Sequence, residues 1–372
     1  MKKIGLLRDH KKSKIAVLSP DNIKQLKDQA SFYVESNSGK HAGFTNENYE
    51  AAGAKIVDTR QEVIDIADLL LTYSTILDDE QIHTSKTFIG VYDVLGDFGT
   101  LIPFQKEGVN LYSLNLLPRT TIAQSMDVMS SAASILGYKA VLKAASLSTS
   151  TIPMITGAGG TLRPAKVLIL GAGVAGLQAI ATAKRLGAIV RAFDVRAVAK
   201  TDVESLGAQF VNIEGATDNS NAGGYAVEQT ADYLNKVDQI LYDECIQADI
   251  IICTARIPGK KAPLLVSEKA LHKMKPGAVI VDLATDSGGN CAWSKKGKTI
   301  VTDNQITIVG DTNLLAKSSK SASFLLANNF TSFLKHFLKN SENEEDEILK
   351  ATKILTNGQV TNERILAEID EI

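Results

Sequence analysis

The 372-residue chain is predicted to be an α/β protein with two doubly wound domains joined by long crossover helices. Its length is too great for one typical domain and sufficient for two. Short apolar segments alternate with helical segments, an order that favours parallel sheets covered by helices. Two long helical patterns, residues 121–146 and 321–340, flank the second half of the chain. We therefore expect a discontinuous first domain, residues 1–125 plus 318–372, and a second domain, residues 126–317.

The first third of the chain alternates strand-like and helix-like segments. Apolar runs typical of strands occur at residues 4–7, 15–18, 32–36, 54–58, 69–73, 87–94 and 109–114. Helical patterns occur at 20–30, where Pro20 suits the first turn of a helix, and at 60–67. This order predicts parallel pairing in a doubly wound sheet.

A second series of elements follows the long helix predicted over 121–146, after a polar and glycine-containing break at 146–164. Strands are predicted at 167–170, 188–193, 209–213, 249–255, 278–284 and 306–310. Helices are predicted at 177–185, 225–247, 267–274 and 321–340. The leucine and aromatic stripe of the last helix predicts packing onto the first domain. The acidic run that begins at Ser341 is typical of a solvated face.

Composition excludes several classes of function. The net charge of −2 does not favour nucleic acid as a partner. Cys245, Cys253 and Cys291 lack the spacing of a disulfide framework or a zinc site, so we expect no metal and a reducing compartment. The N-terminal residues do not have the pattern of a secretory signal, and no stretch is long and apolar enough to span a membrane. We therefore expect a cytoplasmic chain.

The middle of the chain carries a glycine-rich segment, residues 166–196, which reads KVLILGAGVAGLQAIATAKRLGAIVRAFDVR. A strand leads into Gly171, Gly173 and Gly176, a helix of small residues follows, and a second strand ends at Asp194. The first glycine permits a tight turn, the second lets the backbone approach a pyrophosphate, and the third lets helix and strand pack closely. The N-terminus of the helix supplies N–H groups and a positive dipole end. The segment predicts a Rossmann-like dinucleotide site.

The acid at the end of the second strand predicts which nucleotide is bound. A carboxylate at Asp194 accepts hydrogen bonds from the adenosine ribose hydroxyls and repels a 2′-phosphate, which favours NAD(H) over NADP(H). Arg196 follows two residues later and could contact the 2′-phosphate of NADP(H). Binding of NADP(H) is therefore an alternative. A βαβ unit that binds no nucleotide is a second alternative.

A dehydrogenase that oxidises a metabolite needs an acid–base group in its cleft. None of the five histidines, His10, His41, His83, His272 and His336, has an evident site context. The segment PRTTIAQSMDVMSS (118–131) instead carries Arg119 and a polar series of Gln124, Asp127 and Ser130 at helical spacing. These side chains suit hydrogen bonds to a carboxamide and its ribose. The alternative interpretation is a solvated helix face capped by Thr120 or Thr121.

The chain resembles a known family over nearly its whole length. It is similar to the soluble NAD(H)-binding component of proton-translocating transhydrogenases, which are relatives of alanine dehydrogenase. The segments that carry the resemblance are RTTIAQSMDVMSS (119–131), the block from Arg163 to Arg196, VESLGAQFV (203–211), AGGYAVE (222–228), TARIPGKKAPLLVSE (254–268) and MKPGAVIVDLATDSGGNC (274–291).

The resemblance implies roles for individual residues. Arg119, Gln124, Asp127 and Ser130 would position the nicotinamide and its ribose and form the catalytic set. Tyr225, beside Gly224, would belong to a mobile loop that closes over the nucleotide. Further contacts to the cofactor are implied for Thr120, Ser125, Met126, Val174, Ala175, Val195, Arg196, Thr254, Ala255 and Arg256. Gly171, Gly173, Gly176 and Asp194 complete the predicted binding set.

The resemblance also implies a reaction and partners. Hydride would pass between NAD(H) on this chain and NADP(H) on a partner subunit, and the membrane-spanning part of the complex would couple transfer to proton translocation. The chain would form a homodimer and lie on the inner face of the cytoplasmic membrane through its partners. Typical relatives carry an Arg, a Lys and a His where this chain has Lys14 or Ile15, Thr72 and no histidine in 87–96. An amino-acid dehydrogenase would need such groups, and it remains one alternative; a non-catalytic NAD-binding module is another.

Overall fold

The computed structural model describes residues 1–9, 13–74, 80–82, 86–213, 231–257 and 259–370, without the side chains of 231–234, 312 and 370. Two of the histidines, His10 and His83, lie outside the described residues, as do the predicted loop residues Gly224 and Tyr225. No helix within the described ranges combines the length and the apolar character that crossing a bilayer requires.

The strands in the described residues are β1 (Lys2–Leu6), β2 (Ala30–Glu35), β3 (Lys55–Val57), β4 (Leu69–Leu71), β5 (Thr87–Gly90), β6 (Asn110–Ser113), β7 (Ile155–Gly157), β8 (Gly160–Leu162), β9 (Lys166–Leu170), β10 (Ile189–Phe193), β11 (Gln209–Phe210), β12 (Ile250–Cys253), β13 (Val279–Asp282), β14 (Thr299–Val301), β15 (Thr307–Val309), β16 (Lys353–Thr356) and β17 (Gln359–Val360).

The α-helices in the same ranges are α1 (Pro20–Leu26), α2 (Asn46–Ala51), α3 (Arg60–Ile66), α4 (Ile102–Lys106), α5 (Val128–Leu147), α6 (Val174–Arg185), α7 (Ala199–Ser205), α8 (Ala231–Gln247), α9 (Glu268–Leu271), α10 (Ser319–Asn340), α11 (Glu347–Thr352) and α12 (Glu363–Asp370). Pro20 opens α1 as expected, and Ser19 caps that helix.

The chain forms two compact units, and the first is discontinuous in sequence. The first unit comprises Met1–Ala132 and Leu315–Ile372, and the second comprises Ala133–Leu314. The boundaries predicted from the sequence lie after residues 125 and 317. The first boundary falls inside α5, and the second falls shortly before α10.

The first unit is built on a sheet whose described strands run in the order β17-β16-β6-β5-β4-β1-β2-β3. All neighbours from β6 to β3 are parallel, whereas β16 pairs antiparallel with β6 and with β17. The helix α10 packs its buried face, which includes Leu326, Phe330 and Phe333, into the core of this unit. The predicted packing of the 321–340 helix onto the first domain is thus confirmed.

The second unit is built on a sheet of order β11-β10-β9-β12-β13-β15-β14, in which β14 alone of the described strands is antiparallel to its neighbour. Side chains of β9 alternate between two cores, with Val167 and Ile169 on one face and Leu168 and Leu170 on the other. The chain order reverses between β9 and β12. In such sheets ligands bind at the carboxyl ends of the strands at the reversal point. The predicted α/β class, with two mostly parallel doubly wound sheets, is confirmed.

Several element predictions were wrong. Residues 15–18 are buried but form no strand; the backbone N–H of Ala16 bonds the Ser323 side chain instead of a neighbouring strand. The break at 146–164 contains the β7–β8 hairpin. The acidic run that begins at Ser341 is mostly exposed, as expected. Beyond it the chain forms α11, β16, β17 and α12, which were not predicted, and β16 and β17 complete the first sheet.

Candidate functional site

The glycine turn between β9 and α6 is sterically closed to larger residues at two positions. Gly171 has a φ of +97°, and a Cβ there would lie 2.7 Å from Thr254 Oγ1 and 2.9 Å from the Ala255 nitrogen. A Cβ on Gly176 would collide with the carbonyl oxygen of Gly171. The backbone N–H of Gly171 donates to Phe193 O at 2.8 Å, which holds the turn against β10. These two glycines therefore allow the helix to begin directly over the end of the strand.

Gly173 differs from the other two glycines because the space beside it is open. It is the N-cap residue of α6, and no described atom lies within 4 Å of a Cβ built there. No side chain among the described residues caps this helix, so its first N–H groups have no side-chain acceptor. An open approach to helix N–H groups fits the pyrophosphate of a dinucleotide. Val174, the first residue of the helix, is exposed at the same point.

A further glycine, Gly137, supports the same turn and was missed by sequence analysis. It lies within α5, and a Cβ on it would collide with the carbonyl oxygen of Ala175 in the first turn of α6. The backbones of α5 and α6 therefore pack directly against each other beside the glycine turn. The signal was present in the sequence, since a glycine inside a helical pattern often marks a close approach.

Asp194 lies directly after β10, at the position expected for the ribose-binding acid, and is buried. Its carboxylate accepts hydrogen bonds from the Ala172 backbone at 2.7 Å and from the backbone and guanidinium of Arg196 at 2.8–2.9 Å. Burial raises the pKa of this carboxyl, but the hydrogen bonds and charge of Arg196, with the Ala172 N–H, outweigh burial and leave the pKa below its ordinary value.

Acid is expected to remove the stability that the Asp194 contacts provide. The pKa of Asp194 is lower in the folded chain than in the unfolded chain, where aspartate titrates at about 3.9. The stability that its contacts provide is therefore present above that pH and is lost as the pH falls through the pKa of the folded chain. The difference in free energy of unfolding between the wild type and Asp194→Asn should shrink between about pH 5 and pH 3. Urea unfolding at several pH values measures it, with exposed Asp238→Asn as the control. A difference that stays constant over this range would contradict the assignment.

A buried amide, Asn290, organises the segment that follows β12. Its Oδ1 accepts from the Ala255 N–H at 3.1 Å, and its Nδ2 donates to Ala255 O at 2.9 Å and to Pro263 O at 2.8 Å. Its own N–H donates to the buried carboxylate of Asp282 at 2.8 Å. Thr254 in turn donates from its hydroxyl to Gly171 O at 2.9 Å. The predicted residues at 254–256 are therefore held against the glycine turn by two side chains, Asn290 and Asp282, that sequence analysis did not identify.

The predicted nicotinamide segment belongs to the first unit and is not one helix. Residues Ala123–Met126 form a 3₁₀ turn, the chain breaks at Asp127 (ψ 88°), and α5 starts at Val128. The carboxylate of Asp127 accepts from the Ser130 N–H at 2.9 Å and from its hydroxyl at 2.6 Å. The expected polar series along one helix is thus wrong. Asp127 caps α5, whereas the Thr120 hydroxyl accepts from the Ala123 N–H at 3.4 Å at the start of the 3₁₀ turn.

The break presents some of these side chains to solvent and buries others. Arg119, Gln124 and Ser125 are exposed, while Asp127 and Ser130 are half-buried. The side chain of Met126 lies in the core of the first unit. The backbone is anchored by α10, because Asn329 Nδ2 donates to Ser125 O at 2.9 Å. Ile122, in the same stretch, is 68% exposed.

The structure groups the predicted site residues into two sets. The carboxyl ends of β9, β10 and β12 bring together Gly171, Gly173, Val174, Ala175, Gly176, Asp194, Val195, Arg196, Thr254, Ala255 and Arg256 in the second unit. The first unit carries Arg119, Thr120, Gln124, Ser125, Met126, Asp127 and Ser130 along one continuous stretch.

The described residues offer no cluster of histidine, cysteine or acidic side chains suited to a metal ion. Cys245, Cys253 and Cys291 are buried and free. Burial raises the pKa of the Cys291 thiol to about 11 and that of Cys245 to about 12, so both remain protonated at neutral pH.

Family models cover most of the chain. The N-terminal domain of the alanine dehydrogenase/PNT family matches residues 9–136, and the C-terminal domain of the same family matches residues 140–363.

Individual relatives agree with these matches. The chain is 39% identical to a protein of Rickettsia prowazekii named as the first part of NAD(P) transhydrogenase subunit alpha, with 91% of this chain and 90% of that protein covered. It is 38% identical to the subunit of the same name from Rhodospirillum rubrum, with 93% and 94% covered. It is also 29% identical to the alanine dehydrogenase of Bacillus subtilis over 77% of this chain and 71% of that enzyme.

Solved structures support the same fold. The transhydrogenase of Sinorhizobium meliloti superimposes with a TM-score of 0.87 at 35% identity and covers 97% of this chain and 100% of its own. An L-alanine dehydrogenase superimposes with a TM-score of 0.81 over 99% of both chains. Its identity is only 19%, so that likeness concerns the fold alone.

Proposed function

The chain belongs to the alanine dehydrogenase/PNT family, and from this premise we propose that it is the NAD(H)-binding subunit of a proton-translocating transhydrogenase. When the nucleotide is bound, hydride passes between it and NADP(H) held by a partner subunit. The observation that carries the proposal is the likeness, over at least 90% of both chains, to proteins named as the first part of the alpha subunit of NAD(P) transhydrogenases.

The second unit supplies the features that support NAD(H) binding. The open space at Gly173 and the uncapped start of α6 fit a pyrophosphate, and Asp194 lies where the adenosine ribose of a dinucleotide is bound in this type of sheet. Thr254 and Ala255 are fixed beside the same turn. We assign this role to the domain predicted at residues 126–317.

We propose that the stretch from Arg119 to Ser130, in the first unit, contacts the nicotinamide and its ribose. Hydride transfer between two nicotinamide rings needs positioning and no proton transfer to the protein. Exposed Gln124 and Arg119, with the linked pair Asp127 and Ser130, offer hydrogen-bond donors and acceptors suited to a carboxamide and a ribose. A site of this composition suits nucleotide-to-nucleotide transfer better than oxidation of an amino acid.

The proposed partners follow from the names of the relatives. A protein named as the first part of an alpha subunit implies companion chains, and we propose an NADP-binding subunit and a membrane-spanning subunit. We also propose a homodimer, located in the cytoplasm and attached to the inner face of the membrane through these partners.

A reconstitution experiment tests the function. The chain is mixed with the NADP-binding subunit of a transhydrogenase, and reduction of an NADP analogue by NADH is followed optically. Nucleotide-dependent transfer is the expected result. Turnover of pyruvate and ammonia by this chain alone would favour the amino-acid dehydrogenase, and tight NADH binding without any transfer would favour the non-catalytic module.

Gln124→Asn is expected to slow hydride transfer in that assay about tenfold while changing the dissociation constant for NADH less than about threefold. Shortening the side chain by one methylene withdraws its amide from the position where two rings must meet. The measurement is transfer rate together with NADH affinity by titration of nucleotide fluorescence. Gln29→Asn, an equally conservative change at an exposed position of the same unit, is the control. An unaltered rate would remove Gln124 from the transfer site.

A further inference from the structure

The carboxylate of Asp194 already accepts as many hydrogen bonds as its geometry allows. Its Oδ1 accepts from the backbone N–H of Arg196 at 2.9 Å and from Arg196 Nε at 2.8 Å. Its Oδ2 accepts from the Ala172 N–H at 2.7 Å and from Arg196 Nη2 at 2.8 Å. A carboxylate offers about four lone-pair sites, two on each oxygen. All four are filled by donors from this chain.

Two of the four donors are part of the fold and two are exchangeable. The Ala172 and Arg196 N–H groups are backbone, fixed by the glycine turn and by the end of β10. The guanidinium of Arg196 is carried on a flexible side chain that is 23% exposed, whereas the Asp194 side chain is 7% exposed. A ligand approaching from solvent therefore displaces the guanidinium most readily.

We propose that the Arg196 guanidinium is an internal competitor of the adenosine ribose, and that NAD(H) binds only as this side chain leaves Asp194. The inference rests on the proposed function, since it assumes that the glycine turn binds NAD(H). The two positions that a planar guanidinium fills on a carboxylate are the ones that a ribose 2′,3′-diol would take. Arg196 thus lowers the affinity for NAD(H) by holding the binding-competent state at a fraction of the population.

The same pair moderates the choice between the two nucleotides. While Arg196 lies on Asp194, the carboxylate charge is offset, and a 2′-phosphate meets less repulsion than it would from a lone carboxylate. Once displaced, the guanidinium remains two residues from Asp194 and becomes a donor for a phosphate. Removal of the guanidinium should therefore sharpen the preference for NADH.

Arg196→Met tests the proposal on the full-length chain. The dissociation constants of NADH and NADPH are measured by calorimetric titration. NADH is expected to bind about threefold to tenfold more tightly than in the wild type, and the ratio of the NADPH to the NADH dissociation constant should rise. Arg191→Met is the matched control. Arg191, on β10, forms a similar pair with Glu244 of α8 at 2.7 Å, and its replacement should leave both constants unchanged.

A second variant keeps the test decisive if Arg196→Met, which leaves the buried Asp194 carboxylate without its cation, does not fold. Arg196→Lys retains the charge but replaces a two-point contact with one, so tightening of NADH intermediate between the wild type and Met is expected. Weaker or unchanged NADH binding in both variants would overturn the inference while leaving the proposed function standing. Absence of NADH binding by the wild-type chain would instead overturn the proposed function and this inference with it.

Discussion

Replacing Gly173 with alanine is expected to weaken NADH binding about tenfold or more, while the free energy of unfolding stays within about 1 kcal/mol of the wild type. A Cβ at this position meets no described atom within 4 Å, and the backbone has an extended conformation open to any residue. The methyl group therefore costs the folded chain little. It occupies the space through which a pyrophosphate would approach the N–H groups of α6.

Gly176→Ala is the contrasting variant of the same motif. Its Cβ would collide with Gly171 O, so the turn must open, and we expect a loss of about 1–3 kcal/mol of stability together with loss of NADH binding. Chemical unfolding and NADH titration on both variants separate the two roles. If Gly173→Ala destabilises the chain as much as Gly176→Ala, or binds NADH normally, the assignment of Gly173 to the pyrophosphate is wrong.

The parts of the structure that the sequence predicts correctly are those coded within a short stretch. The glycine turn and the acid after β10 lie in one βαβ unit, in which spacing alone determines which residues meet. The position of Asp194 was therefore predictable. The hydrogen bonds from the Arg196 guanidinium to the Asp194 carboxylate were not predictable, because the rotamer of a flexible side chain leaves no periodic signal in the sequence.

The features that the sequence did not predict, or predicted wrongly, depend on contacts between distant residues or on local polar competition. Asn290 meets Ala255 across a separation that no motif spans, and β16 pairs with β6 from the other end of the chain. Asp127 interrupts a pattern of helical spacing because its carboxylate bonds the first turn of α5 instead of continuing the helix. Residues 15–18 are apolar and buried, but they pair with no strand. A buried segment without strand pairing has the same apolar pattern in the sequence as a buried strand.

Asn290→Asp is expected to weaken NADH binding about tenfold at pH 8 and to recover some of that affinity as the pH is lowered to about 5.5. Asn290 is fully buried, and its Nδ2 donates to Ala255 O and Pro263 O. A carboxylate in its place has no donor for these two carbonyl oxygens and is repelled by them. The carboxylate of Asp282, which accepts from the backbone N–H of residue 290, adds a second negative charge nearby. Burial and these neighbours raise the pKa of the new carboxyl above its unfolded value, so the protonated form, which can donate, is favoured at lower pH.

The pH dependence separates positioning of the cofactor loop from a general loss of packing. Asn290→Ala lacks a titratable group and should weaken NADH binding equally at both pH values. Asn304→Asp is the matched control in the same unit, since it also loses a donor to a backbone carbonyl, Leu271 O, without touching residues 254–256. It should bind NADH as the wild type does.

The hydrogen bonds of Asn290 reach the nucleotide site through the Ala255 backbone, and Thr254, the preceding residue, contacts Gly171. NADH affinity in Asn290→Asp that is unchanged, or reduced equally at pH 5.5 and 8, would show that the amide serves packing alone.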